Sequence, residues 1–233
     1  MKVDVHDNVA NENLFKFTVD TVTEGSDTWT GYTIAPAPGV TLAGKITLPA
    51  THNGQPVVSV SGFANNKTVT HIFWERGAQV RRVNGTVASS AAFYQCINLV
   101  YFEMPESLVI ISDYAFQSSG LKQLNLNKGL RVIGNSSFSG LKGISVIRIP
   151  GSVTKISNYA FAYPTSKRTE IIFGGEGDPT QIQNVQKDAF YANRPNGFDA
   201  IVYYSDVVPN DEILNMLNVI ENQDNKEHTV SGM

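Results

Sequence analysis

Residues 102–124, FEMPESLVIISDYAFQSSGLKQL, and residues 147–161, IRIPGSVTKISNYAF, carry one pattern twice. In each, an apolar pair spaced by two (Phe102 and Met104; Ile147 and Ile149) runs into a proline, Pro105 or Pro150. Leu108 or Val153 follows three residues later and Ile111 or Ile156 six later. An Ala-Phe pair, Ala115-Phe116 or Ala160-Phe161, closes the unit. Working outward from these stretches, Phe63, Phe93, Phe116, Phe138, Phe161 and Phe190 stand 30, 23, 22, 23 and 29 residues apart. Five residues before the last four stand Ile111, Ile133, Ile156 and Val185; eight before stand Leu108, Leu130, Val153 and Ile182. Such a period overrides local assignments, because each unit is one coil that cannot bury its apolar face alone.

The pairs Phe102/Met104, Leu124/Leu126 and Ile147/Ile149 alternate as short strands do, so each coil is expected to hold a strand, a turn and a return segment. Stacked coils then add strands to a short parallel sheet at about 4.8 Å spacing, and the phenylalanines form a column inside it. The two long intervals predict loops at Gly77 to Gly85 and at Gly174 to Pro179. No GK[ST] follows the second glycine cluster, and no helix pattern starts there, so it lacks the signature of a phosphate cradle.

At these residues the chain resembles the BspA-like leucine-rich repeats, also called the Treponema pallidum type. The similarity runs over about residues 46 to 203 and rests on the pattern IPxSVxxIxxxAFxxCxxL, with Asn127 where proline is usual and the cysteine kept at Cys96. The stretches FKFTV (15–19), GYTI (31–34) and ITLPATHNGQPVVSV (46–60) are similar to the unit that precedes such arrays. The resemblance implies a leucine-rich repeat solenoid of about six coils, β-rich with a short parallel sheet, with an N-terminal β cap; the residues beyond the array add a short C-terminal helix.

The expected organisation is an N-terminal arm and β cap over residues 1–45, the leucine-rich repeat solenoid over 46–205, and a helix cap with a flexible tail over 206–233. Pro209, Asn210, Asp211 and Glu212 supply helix-start chemistry, and Ile213, Leu214, Leu217 and Ile220 follow at amphipathic spacing. That helix closes the last coil or packs on another molecule; the sequence leaves both readings open.

Composition narrows the function. Lys+Arg number 18 against 21 Asp+Glu, a net charge of −3, so the electrostatic footprint of a nucleic-acid binder is missing. A single cysteine among 233 residues makes neither an intrachain disulfide nor a multi-cysteine metal site. No apolar run reaches the roughly 18 residues of a membrane-spanning helix. The opening MKVDVHDNVANEN has no apolar core of a signal peptide. His6, His52, His71 and His228 are scattered, with no HExxH spacing, and His6 between Asp4 and Asp7 reads as a solvated cluster. GxSxG, DxDxDG and Walker patterns do not occur, and Cys96 falls at an inward repeat position. The expectation is therefore no enzyme, no cofactor and no metal.

Binding is placed on the strand face that points away from the core, since side chains alternate along a strand. Reading across coils gives one column of His71, Tyr101, Gln123, Val146 and Glu170, and another of Phe73, Glu103, Asn125, Arg148 and Ile172, extended by Val202. The candidate ligand-binding residues are His71, Phe73, Tyr101, Glu103, Gln123, Asn125, Arg148 and Ile172, with Phe73 and Tyr101 as anchors. The mixture of aromatic, amide and charged groups suits a protein or glycan, or is simply what a solvent-facing sheet contains. Together with the resemblance, this predicts a non-enzymatic binding or adhesion module, secreted or at a bacterial cell surface if a leader precedes Met1 in the native protein. The alternative is a structural or attachment component of a virion or other surface assembly, with self-association left open.

Overall fold

The computed structural model describes residues 3–4, 12–162, 169–175, 178, 180–186, 188–191 and 198–203. Its strands are β1 (Val3–Asp4), β2 (Phe15–Glu24), β3 (Asp27–Pro36), β4 (Leu42–Leu48), β5 (Thr51–His52), β6 (Gln55–Val60), β7 (Val69–Trp74), β8 (Arg82–Val83), β9 (Tyr101–Phe102), β10 (Ile110–Ile111), β11 (Val132–Ile133), β12 (Val146–Ile149), β13 (Lys155–Ile156), β14 (Thr169–Phe173), β15 (Asn184–Val185) and β16 (Phe198–Tyr203). The expected helix within 206–233 lies outside the described residues, as do His6 and His228.

The coils feed two parallel ladders, the first of which one coil does not join. In the first, β1, β4, β7 and β9 pair in that order, and β12, β14 and β16 form a separate three-stranded sheet. In the second, β6, β8, β10, β11, β13 and β15 follow one another. Register keeps like with like: Ile46, Ile72 and Phe102 are aligned in the first ladder. Val60, Val83, Ile111, Ile133, Ile156 and Val185 are aligned in the second. All of these except half-buried Val185 are buried, so both ladders turn one face toward a common core.

The phenylalanine column is continuous. Successive centroids from Phe63 to Phe190 are 5.1, 5.3, 5.5, 5.4 and 5.4 Å apart, each pair stacked, and all but the first nearly parallel. Backbone bonds reinforce it: Phe93 N–H donates to Ala115 O at 2.7 Å, Phe116 to Ser137 O at 2.8 Å and Phe138 to Ala160 O at 2.8 Å. Two residues past successive rings the chain turns left-handed at Asn65, Gln95, Ser118 and Gly140. That turn comes at the same point in these four coils, and glycine adopts it without the steric cost that a side chain carries. Cys96 is buried and its thiol donates to Phe63 O at 3.0 Å, which makes it a core group as its repeat position predicts. Burial pushes that thiol up to about 12.

β2 and β3 form an antiparallel hairpin, and β3 joins β6 in parallel, so the hairpin extends the second ladder. Gly31 is needed at this junction, because a Cβ there would collide with the carbonyl of Pro56. The distal half reaches over the outward side of the second ladder. Arg82 donates to Asp20 at 2.8 Å, Arg81 lies 5.0 Å over the Trp29 ring, and Arg131 donates to Asp27 at 2.7 Å. Val22 on this hairpin is wholly buried although it stands apart from the main core, as does Val58 beneath Gly31.

Two expectations are corrected. Leu124 is buried and Gln123 and Asn125 are exposed, as alternation predicts, yet residues 123–126 join no ladder. The cause is length: Phe116 to Leu124 spans eight residues, whereas Phe93 to Phe102 and Phe138 to Ile147 span nine. The short coil delivers its apolar side chains without bringing its amides into register. The loop expected from Gly77 to Gly85 contains β8; the extra residues of that interval fall after it, around the 3-10 turn Ala88–Ser90.

Candidate functional site

Strand β7 builds the candidate site by alternation. Ile72 and Trp74 turn inward and are buried, which leaves His71 and Phe73 half-buried on the outer face. Register then places Tyr101 of β9 beside His71. The three rings form one cluster: His71 and Phe73 are stacked at 6.0 Å, Phe73 and Tyr101 lie 5.3 Å apart, and His71 and Tyr101 lie 6.0 Å apart. Thr70 Oγ1 is 2.9 Å from His71 Nδ1 and steadies the imidazole. Lys45 and Thr47 of β4 continue the two columns on the other side.

The remaining predicted residues have different environments. Glu103 is held by the fold: its carboxylate accepts from Trp74 N at 2.9 Å and its carbonyl from Trp74 Nε1 at 3.2 Å. Gln123 and Asn125 are exposed, and so is Arg148 on β12. Ile172 is the correction, being 4% exposed. It occupies the middle strand of the three-stranded sheet, flanked in register by Arg148 and Val202, and its strand neighbours Ile171 and Phe173 are buried as well. His71, Glu103 and Arg148 belong to three different coils and do not converge as an acid/base constellation.

Beside Arg148 lies a cleft of about 260 Å³ lined by Leu126, Lys128, Arg148, Pro150, Gly174 and Asp178, among others. The Gly174-Gly175 turn after β14 forms one wall, and Asp178 Oδ2 fixes it by accepting from Gly151 N at 3.2 Å. Lys128 and Asp178 escape the column reading because they sit beyond strand ends, where alternation says nothing; the glycine cluster was the available signal. Among the described residues no group of His, Cys, Asp and Glu side chains could hold a metal ion.

Comparison with known proteins agrees with the repeat. A family described as BspA type Leucine rich repeat region matches residues 86–196 in six copies. A crystal structure of a T. pallidum leucine-rich repeat protein aligns with 98% of this chain and 100% of its own at 18% identity and a TM-score of 0.54, a likeness of fold. A Bacteroides ovatus leucine-rich repeat protein aligns with 98% of this chain and 77% of its own at 14% identity and a TM-score of 0.32. No curated protein matches the chain.

Proposed function

We propose, from a chain whose residues 86–196 are a BspA-type leucine-rich repeat region, that it is a non-enzymatic binding module presenting the outer face of its first ladder to a protein or glycan at a bacterial cell surface. The observation that carries this reading is the His71–Phe73–Tyr101 cluster. Three aromatic rings share one half-exposed patch on this face, while the N-terminal hairpin occupies part of the outer side of the second ladder. Aromatic anchors flanked by Lys45 and Thr47 on one side and by the amides Gln123 and Asn125 on the other suit recognition of a weakly charged surface. Proteins with these repeats are typically surface or extracellular and non-enzymatic, which supports the setting. Scattering of His71, Glu103 and Arg148 over separate coils supports the same side.

The test is capture of matrix proteins and glycans on arrays by the intact chain and by a Phe73→Ser/Tyr101→Ser variant whose circular dichroism matches the parent. Loss of capture in the variant supports the reading. Undiminished capture removes this face from consideration, and no capture by the parent at micromolar protein counts against a binding module altogether.

A further inference from the structure

The cleft beside the sheet face has a donor set more specific than the face itself. Lys128 and Arg148 are both exposed, and neither has a hydrogen-bond or ion-pair partner among the described residues. Asp178 lines the same cleft; its Oδ2 accepts from Gly151 N while Oδ1 has no partner among the described residues. Leu126, Ile149 and Pro150 give the cleft an apolar side. At about 260 Å³ it falls just below the usual size range of small-molecule pockets, so it takes one ring and not an extended ligand.

We propose that this cleft is a subsite for a sugar acid, a pyranose ring carrying a carboxylate, at one end of the proposed binding face. The two cations take the carboxylate through charge-assisted hydrogen bonds, with the guanidinium of Arg148 offering the bidentate fork. The open oxygen of Asp178 accepts from ring hydroxyls, and the C–H face of the ring lies against Leu126 and Pro150. This set also decides against an acidic peptide. A Glu or Asp side chain would satisfy Lys128 and Arg148, but it brings no hydroxyl donor for the open oxygen of Asp178. Along the same face, Gln123 and Asn125 lie between the cleft and the aromatic cluster, so a chain of sugars leaving the subsite meets amides first and rings next.

The inference rests on the sheet face being a ligand-binding surface, and the experiment separates the two. Backbone amide shifts are followed as the intact chain is titrated with digalacturonate, with its neutral counterpart galactobiose, and with a hexaglutamate peptide. Digalacturonate is expected to shift Gly174 and Gly175 and to bind at least about fivefold more tightly than galactobiose, the effect of one or two exposed ion pairs. A Lys128→Gln/Arg148→Gln variant is expected to lose that preference. Equal binding of the two disaccharides, no shift at the cleft, or equal binding of the peptide overturns the sugar-acid subsite. If the same variant still captures a partner that Phe73→Ser/Tyr101→Ser loses, the binding face stands without the subsite.

Discussion

The residue before each stacked ring is glycine at Gly62, alanine at Ala92, Ala115, Ala160 and Ala189, and serine at Ser137. Ser137 is fully buried, its backbone carbonyl receives the Phe116 N–H, and its hydroxyl meets no partner. A desolvated hydroxyl without a hydrogen bond costs on the order of 1 kcal/mol or more. Ser137→Ala is therefore expected to stabilise the chain by about 1 kcal/mol, read as a higher urea midpoint at unchanged slope. Cys96 gives a second prediction at this scale. Its folded pKa of about 12 lies above the value in an unfolded chain, so the folded state holds the proton more tightly. The resulting stability is complete below the unfolded thiol's pKa and is lost as pH climbs through the window up to about 12. Alkylation by iodoacetamide at mildly alkaline pH should consequently follow global unfolding, and rapid labelling of the native chain would contradict a buried, hydrogen-bonded thiol.

Among the elements, the β2–β3 hairpin is the one held by polar contacts at its far end. Burial opposes ionisation of Asp20, but hydrogen bonds from Thr33 and Arg82 and the Arg82 charge outweigh it and hold the carboxyl below its ordinary value. A depressed folded pKa contributes stability that is present above the unfolded carboxylate's pKa and lost as pH falls below about 4. The Arg131–Asp27 pair is more exposed and contributes about 0–1 kcal/mol. Arg82→Ala should therefore loosen the distal half of the hairpin: amides from Asp20 to Thr30 exchange faster while those of Phe116 and Phe138 keep their protection. Uniformly faster exchange would mean that Arg82 supports the whole fold and not the hairpin alone. This element also marks where reading the sequence ran out. The Phe, Ile and Leu positions of the coils were legible because their period repeats six times. The outer columns were legible as far as Arg148 because alternation assigns a face, but Ile172 on the middle strand of its sheet is buried instead. The second ladder was not, since strands of two residues such as Ile110–Ile111 are too short to alternate. Nor was the reach of the hairpin, because Asp27 and Arg131 are 104 residues apart and nothing local couples them. Of the site, His71, Phe73 and Tyr101 followed from register, whereas Lys128 and Asp178 depend on loops whose path no pattern encodes.

Across the whole molecule, a stack of coils behaves as a nearly one-dimensional chain in which each unit is stabilised by its neighbours. The second ladder and the phenylalanine column run without interruption, but the first ladder is broken between β9 and β12 by the coil that is one residue short. Coupling through that coil falls on β10, β11, β13 and the ring stack. Phe138 stacks on Phe116 at 5.5 Å on one side and on Phe161 at 5.4 Å on the other, so it is the ring whose loss most weakens the junction. Phe138→Ala should cost about 3–5 kcal/mol, in the range of buried aromatic truncations. It should also split the transition. Both tryptophans, Trp29 and Trp74, lie on the N-terminal side of the break, so their fluorescence reports that half while far-ultraviolet circular dichroism reports all coils. In the parent chain the two signals are expected to coincide along a urea titration, as cooperative coupling requires. In Phe138→Ala, circular dichroism should begin to fall at lower urea than tryptophan fluorescence, because the coils beyond the break unfold first. Coincident curves in the variant would show that the second ladder alone couples the two halves.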